Sequence, residues 1–193
     1  MDWDQRFRAE DTPWERKTLH PVIEDWKDAG AFTAGMRALI PGCGRAPELL
    51  HLATTGLDMT AADISKTALE WQDKALKAEN LKAKLVSGDA FEFKPEAPFD
   101  IIFEQTFLCA IPPKLRELYE ISVFNWLKPG GKLLALFMQK DEMGGPPYAC
   151  PIPAMRKLFP ESRWIWPDEA DLVAYPHPRL SDKKELAGIL ERR

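Results

Sequence analysis

Residues 36–63 read MRALIPGCGRAPELLHLATTGLDMTAAD, and the order of elements in that stretch decides the fold class. Met36 to Pro41 is a short apolar run halted by the turn Gly42-Cys43-Gly44, the profile of a parallel strand buried on both faces. Ala46 to Thr55 then carries Leu49, Leu50, Leu52 and Ala53 at helical spacing until Gly56 ends the helix. Leu57 to Asp63 is apolar again and reads as a second strand. Strand, tight turn, helix and strand in succession form the unit of a parallel sheet with right-handed crossovers and helices over its faces.

The same alternation continues outward. Ser65 reads as an N-cap and Lys66 to Glu79 as an amphipathic helix with Ala68, Trp71, Ala75 and Leu76 inward. A third strand ends at Val86 to Gly88, and Phe99 to Phe103 (FDIIF) is a fourth. Pro112-Pro113 opens a helix whose inward stripe is Leu115, Leu118, Tyr119, Ser122, Val123 and Trp126. Lys128-Pro129-Gly130-Gly131 is a turn, and Lys132 to Met138 a fifth strand apolar enough for the middle of a sheet. Beyond a Gly- and Pro-punctuated loop from Gly144 to Pro153, Met155 to Phe159 reads as a short helix and Arg163 to Trp166 as a strand. The Pro- and charge-rich stretch Asp168 to Lys184 reads as a surface connection, and Glu185 to Arg192 as a last strand. Late strands joined without a helix predict an antiparallel edge. The expected architecture is therefore α/β: a doubly wound, seven-stranded, mostly parallel sheet with helices on both faces and an antiparallel C-terminal edge strand. One domain over 1–193 is expected, with an N-terminal segment 1–35 and an α/β core 36–193.

Composition excludes several classes of function. With 45% hydrophobic and 29% charged residues the chain is globular rather than disordered. A net charge of -4 leaves no general basic footprint for nucleic acid. Cys43, Cys109 and Cys150 are odd in number, far apart and without a CxxC pair, so neither a disulfide framework nor a thiolate metal site is expected. No apolar run approaches the ~18 residues that span a bilayer, and the charged, aromatic start MDWDQRFRAED is unlike a signal peptide. These features predict a cytoplasmic protein without nucleic acid, membrane or metal; a monomer or weak homodimer is expected, although composition does not decide the oligomeric state.

The turn at Pro41-Gly42-Cys43-Gly44-Arg45-Ala46 lies at the carboxyl end of a strand, where open α/β sheets bind ligands. Asp63, 19 residues after Gly44, ends the next strand, from which a carboxylate reaches the hydroxyls of a ribose. A dinucleotide loop needs a third glycine where this chain has Pro47, and no Walker-type lysine follows. The spacing thus favours a nucleoside without pyrophosphate, S-adenosylmethionine over NAD. The plainer alternative is an ordinary strand-helix turn, with Asp63 capping the helix after it. Asp89, in Ser87-Gly88-Asp89-Ala90-Phe91, and Glu104, before Gln105-Thr106, fall at two further strand ends, as adenine and ammonium contacts or as simple capping acids.

With these residues assembled, the chain resembles the class I methyltransferases of Rossmann-like fold and, within them, the thiopurine methyltransferase-like family that includes thiol and halide methyltransferases. The resemblance covers nearly the whole length. It rests on Trp3, Thr12-Pro13-Trp14-Glu15, Ile40 to Ala46, Ala62-Asp63-Ile64-Ser65, Gly88-Asp89-Ala90-Phe91, Thr106 to Pro112, Leu127 to Gly131 and Gly144-Gly145-Pro146-Pro147-Tyr148. Two departures are Ala46 in place of a third glycine and Glu104 in place of an Asp; the piece around Arg179 and Glu185-Leu186 matches more loosely. The resemblance implies that Trp14 packs on the cofactor, Gly42 and Gly44 shape its pocket, Asp63 holds the ribose, and Ile64, Asp89 and Ala90 meet the adenine. It also implies that residues 1–35 cover cofactor and acceptor.

Methyl transfer from a sulfonium is an in-line displacement that needs placement and dryness more than a base. A thiol with pKa near ~8.5 provides thiolate at neutral pH, and a halide is already an anion. His20, His51 and His177 stand in no motif with a carboxylate, which agrees with such an acceptor. Trp3, Phe7, Trp14, Phe107 and Tyr148 are candidates to line a pocket for a cationic sulfonium, or are core residues. Phe107 is a candidate for the acceptor pocket and Tyr148 for orienting the acceptor, the alternative for Tyr148 being that it seals a loop; Cys109 reads as a buried structural thiol. The expected activity is S-adenosylmethionine-dependent methylation of a small-molecule thiol or thiopurine sulfur, or a halide, with S-adenosylhomocysteine as product. The alternatives are an N- or O-methyltransferase of another metabolite, a non-catalytic cofactor-binding module and a nicotinamide dehydrogenase.

Overall fold

The computed structural model describes residues 1–177 and 183–193; Arg179 and part of the stretch Asp168 to Lys184 lie outside the described residues. Contacts divide the chain into two compact units, Met1–Phe93 and Lys94–Arg193.

In the first unit, helices α1 (Trp3–Arg8) and α2 (Val22–Asp28) precede β1 (Arg37–Pro41), α3 (Glu48–Thr54), β2 (Asp58–Asp63), α4 (Lys66–Ala78) and β3 (Lys84–Ser87). Strand β2 lies between β1 and β3 and is parallel to both, with Ile40 opposite Ala61 and Asp63 opposite Ser87. Ala38, Leu39, Ile40, Met59 and Ala61 are buried, as continuous apolar strands require. Ser65 caps α4 by accepting from the Ala68 N–H at 3.1 Å, and Asn80, at φ 54, ends the chain's helical run.

The second unit contains β4 (Phe99–Glu104), the single turn α5 (Phe107–Ala110), α6 (Arg116–Trp126), β5 (Leu127–Gln139), α7 (Ile152–Leu158), β6 (Trp164–Ile165), β7 (Val173–Pro176) and β8 (Lys184–Arg192). Strand β5 runs parallel to β4 and antiparallel to β8, which also pairs antiparallel with β6 and β7. The antiparallel edge is therefore more than the single strand expected. Its additional member is β7, inside the stretch read as a connection; Val173 to Pro176 pairs with Lys184 to Ala187, a partner that composition does not reveal.

Three local readings change for identifiable reasons. Trp71 is exposed, and the buried face of α4 is Ala68, Leu69, Gln72 and Leu76, because Gln72 finds hydrogen-bond partners inside. On α6, Leu118 is 44% exposed while Arg116, Tyr119 and Glu120 are buried; again the polar residues have internal partners. The Leu127–Gly131 turn forms the first part of β5, which shifts register against β4 between Phe99 and Ile101. Gly131 is required at that irregularity, since a Cβ there would lie 2.8 Å from the Lys128 carbonyl oxygen.

Candidate functional site

The first unit brings most of the nucleoside-site residues to the end of β2. Asp63 is 6% exposed; its Oδ2 accepts from the Gly44 N–H at 2.7 Å and its Oδ1 from the Ser65 N–H at 2.7 Å. A carboxylate oxygen has two lone pairs, so each retains an acceptor position after these bonds. Burial pushes the Asp63 carboxyl up from its ordinary value, against the lowering by the Ser65, Gly44 and Ile64 N–H groups. The side chain does make local capping bonds, as the plainer alternative holds, and both bonds aim it.

Gly42 and Gly44 have φ of 60 and 48, and the Cys43 N–H binds the Ala62 carbonyl at 3.1 Å, so the loop is tied to β2. From the other side the Gln72 amide donates to the carbonyls of Gly44 and Ala46, both at 3.0 Å. Ile64 is 56% exposed, an apolar side chain in solvent next to the buried acid. Asp89 caps the short 3-10 turn Ala90–Glu92 through Phe91 N–H at 2.9 Å, while Ala90 is buried and the Gly88 N–H binds the Asp63 carbonyl at 3.0 Å.

The N-terminal segment is fastened at two places, to the start of α4 and to the glycine loop. Asp4 Oδ1 accepts from Ser65 Oγ at 2.8 Å and from Thr67 N–H at 2.9 Å, bonds that hold its carboxyl well below the usual range. Arg45 pairs with Glu15 through Nε at 2.8 Å and Nη2 at 2.7 Å, and Nη2 also meets Thr12 Oγ1 at 3.2 Å. Trp14 stands edge-on to Trp3 and Phe7, with the Arg6 guanidinium 4.4 Å from its ring centre. Phe7 is buried and touches the loop, 3.1 Å from where a Cβ on Gly44 would be. Asp4, Glu15, Arg45 and Gln72 are the residues that sequence reasoning left without a role. Only Glu15 and Arg45 lie in stretches the motifs had marked.

The second unit holds Glu104, Phe107 and Tyr148. Glu104 is 1% exposed, with its carboxylate turned into the unit, where Oε1 accepts from Leu108 N–H at 2.8 Å and Oε2 from the Tyr119 hydroxyl. Burial raises its carboxyl to about 7 despite the Leu108, Tyr119 and Phe107 donors and the Arg116 charge. The side chain therefore serves the interior, and only the backbone of Glu104 is left for a ligand. Phe107 is half-buried with its ring 5.3 Å from that of Tyr119, and half-buried Tyr148 donates its N–H to the Cys109 carbonyl at 2.7 Å. Cys109 is buried, its Sγ donating to Thr106 O at 3.3 Å; burial pushes the thiol well above its usual value, which fits a structural role.

The model of the thiopurine S-methyltransferase (TPMT) family matches residues 1–166. The chain belongs to that family. Among its relatives, the probable thiol methyltransferase 2 of Arabidopsis thaliana is 36% identical over 160 residues, covering 81% of this chain and 70% of that protein. The thiopurine S-methyltransferase of Vibrio atlanticus is 24% identical over 98% of this chain and 93% of its own. The solved structure of Burkholderia thailandensis 1,6-didemethyltoxoflavin-N1-methyltransferase, with bound S-adenosylhomocysteine, shares the fold at a TM-score of 0.81. It is 16% identical, over 99% of this chain and 85% of its own. The family member described here is thus an S-adenosylmethionine-dependent methyltransferase of Rossmann-like α/β fold. Its own residues fit that cofactor: a buried, backbone-aimed carboxylate with acceptor positions left, two left-handed glycines beside it and an exposed apolar side chain next in sequence.

Proposed function

We propose that this methyltransferase acts on a small sulfur nucleophile, a thiol or thiopurine sulfur, with halide as a secondary acceptor. Support for sulfur comes from the relatives, named as thiol, thiocyanate and thiopurine methyltransferases. Support for the cofactor's seat comes from Asp63, and that carboxylate is the observation that carries the reading. In it, Asp63 takes the ribose hydroxyls, Gly42 and Gly44 admit the ligand close to the backbone, and Ile64, Asp89 and Ala90 meet the adenine. Trp14 and the rest of residues 1–35 cover the ligands, and the Glu104 backbone carbonyl faces the ammonium group. The chain is read as one domain, a cytoplasmic monomer or weak homodimer that uses no metal and binds no nucleic acid; its three cysteines are free and buried, as a reducing compartment allows.

When bound, S-adenosylmethionine supplies an electrophilic methyl on a positively charged sulfur. The acceptor thiol loses its proton to solvent before attack, so no protein base is required at neutral pH. The thiolate lone pair forms the new carbon–sulfur bond while the electrons of the old one remain on the leaving sulfur, giving a methyl thioether and S-adenosylhomocysteine. In this step Phe107 lines the acceptor pocket and keeps water from it, and the Tyr148 hydroxyl orients the nucleophile. An acceptor screen with methyl-labelled cofactor across thiols, thiopurines, halides, amines and phenols tests the reading. Sulfur acceptors are expected to react at least about tenfold faster than amines or phenols. Turnover confined to amines or phenols would refute it.

A further inference from the structure

Residue Thr106 adopts φ 64, a left-handed conformation that a β-branched residue avoids unless its surroundings impose it. The strain lies immediately before Phe107 and α5, beside a buried group of polar side chains that bond the same segment. Glu104 Oε1 takes the Leu108 N–H at 2.8 Å, and the Tyr119 hydroxyl holds Oε2. Tyr119 is fully buried and also packs its ring on Phe107. One turn earlier on α6, on the same face, buried Arg116 reaches the other way. Its Nη1 donates to the Ala149 carbonyl at 3.0 Å and its Nη2 lies 3.3 Å from Cys150 Sγ. The two segments so gripped are joined directly by Tyr148 N–H to Cys109 O at 2.7 Å. The far end of the second segment is fixed to β5, where the Cys150 N–H binds the Met138 carbonyl at 2.7 Å and the Gln139 amide binds the Cys150 carbonyl at 2.9 Å.

We propose that Glu104, Tyr119 and Arg116 are positioning residues for the methyl acceptor, setting Phe107 and Tyr148 relative to each other from the end of β4 and from helix α6 without touching the acceptor themselves. This rests on the reading of Phe107 and Tyr148 as the acceptor contacts. The physical argument is that both residues sit on short segments, joined to each other by the Tyr148–Cys109 bond, and that the side chains of Glu104, Tyr119 and Arg116 add the ties between these segments, the end of β4 and helix α6. Side chains from one helix turn transfer the rigidity of α6 to both. A misplacement of about 1 Å in such a pair is enough to lower kcat/KM for the acceptor by up to about a hundredfold.

The test measures acceptor kinetics with thiophenol, S-adenosylhomocysteine affinity by calorimetry, and the Tm of each variant. Tyr119→Phe, which removes one hydroxyl, is expected to raise the thiophenol KM about tenfold, with cofactor-product affinity unchanged within about twofold. Its effect should be much less than additive with that of Phe107→Ala, because the two act on one placement. Glu104→Ala should raise KM similarly, and Glu104→Gln, which keeps an oxygen for the Leu108 N–H, should recover most of the loss. If Tyr119→Phe does not fold, Arg116→Lys decides, since it keeps the charge but loses the two-pronged grip and should also raise KM. A lowered Tm with an unchanged thiophenol KM in these variants would reduce the group to a structural one and overturn the proposal. If Phe107→Ala and Tyr148→Phe themselves leave KM unchanged, the acceptor reading fails and the positioning role with it. If they raise KM while Tyr119→Phe and Glu104→Ala do not, only the positioning role fails.

Discussion

Asp63 and Glu104 are both buried acids, and their surroundings give them opposite tasks. Asp63 spends one lone pair of each oxygen on a backbone N–H, at Gly44 and Ser65, and retains acceptor capacity for a diol. Glu104 is closed in by Leu108 and Tyr119, with Arg116, Cys109 and Cys150 among the ionisable groups within electrostatic reach. Its carboxyl, raised from 4.5 to about 7, keeps its proton in the folded protein over a range where the unfolded chain has lost it. Stability from this group is therefore complete below about pH 4.5, declines as pH rises to about 7 and is level above. The loss is on the order of 3 kcal/mol. Urea denaturation at pH 5 and pH 8 should show most of it, with Glu104→Gln shrinking the difference between the two. At this scale the sequence exposed what is local. The glycine loop, the Ser65 cap and Asp63 are legible because each acts within a few residues or at a fixed strand-end position. The bonds of Ser65 to Asp4, 61 residues away, and of Arg45 to Glu15, 30 away, join types common on any surface, and only folding pairs them.

Among the elements, helix α4 ties into the site through its N-terminal end and its inner face. Asp4 adds a second carboxylate at its first turn, where the exposed N–H groups attract negative charge, and so docks α1. Asp4→Ala is expected to speed amide exchange in residues 3–8 while β1 keeps its protection; equal protection of α1 in the variant would contradict the docking role. Gln72 illustrates why the helix was legible and its inner face was not. Periodicity alone gives the interior to Trp71, whereas two carbonyls of the glycine loop draw Gln72 inward and leave the tryptophan outside. Strand β7 escaped for a related reason, since short exposed strands depend on a neighbour such as β8 rather than on their own pattern. At the start of β5, Gly131 is held by space. Gly131→Ala would press a methyl against the Lys128 and Asp100 carbonyls and should cost about 1–3 kcal/mol in urea denaturation. A neutral result would show that the irregularity relaxes freely.

At the scale of the whole molecule, ligand linkage separates a methyltransferase from a dehydrogenase. S-adenosylhomocysteine at a hundred times its Kd should stabilise the protein by about 2.7 kcal/mol, seen as a rise in Tm, whereas NAD at equal concentration should leave Tm unchanged. The family, the relatives and the alternation of strands and helices agree on the class of cofactor, and the account is anchored at a single side chain. Its most direct test is calorimetric titration of S-adenosylhomocysteine into the wild-type protein and into Asp63→Ala, with circular dichroism confirming that both are folded. Loss of about 2 kcal/mol or more of binding free energy in the variant is the result predicted for hydrogen bonds to a charged, buried acceptor. Equal affinity in the two proteins would contradict the account.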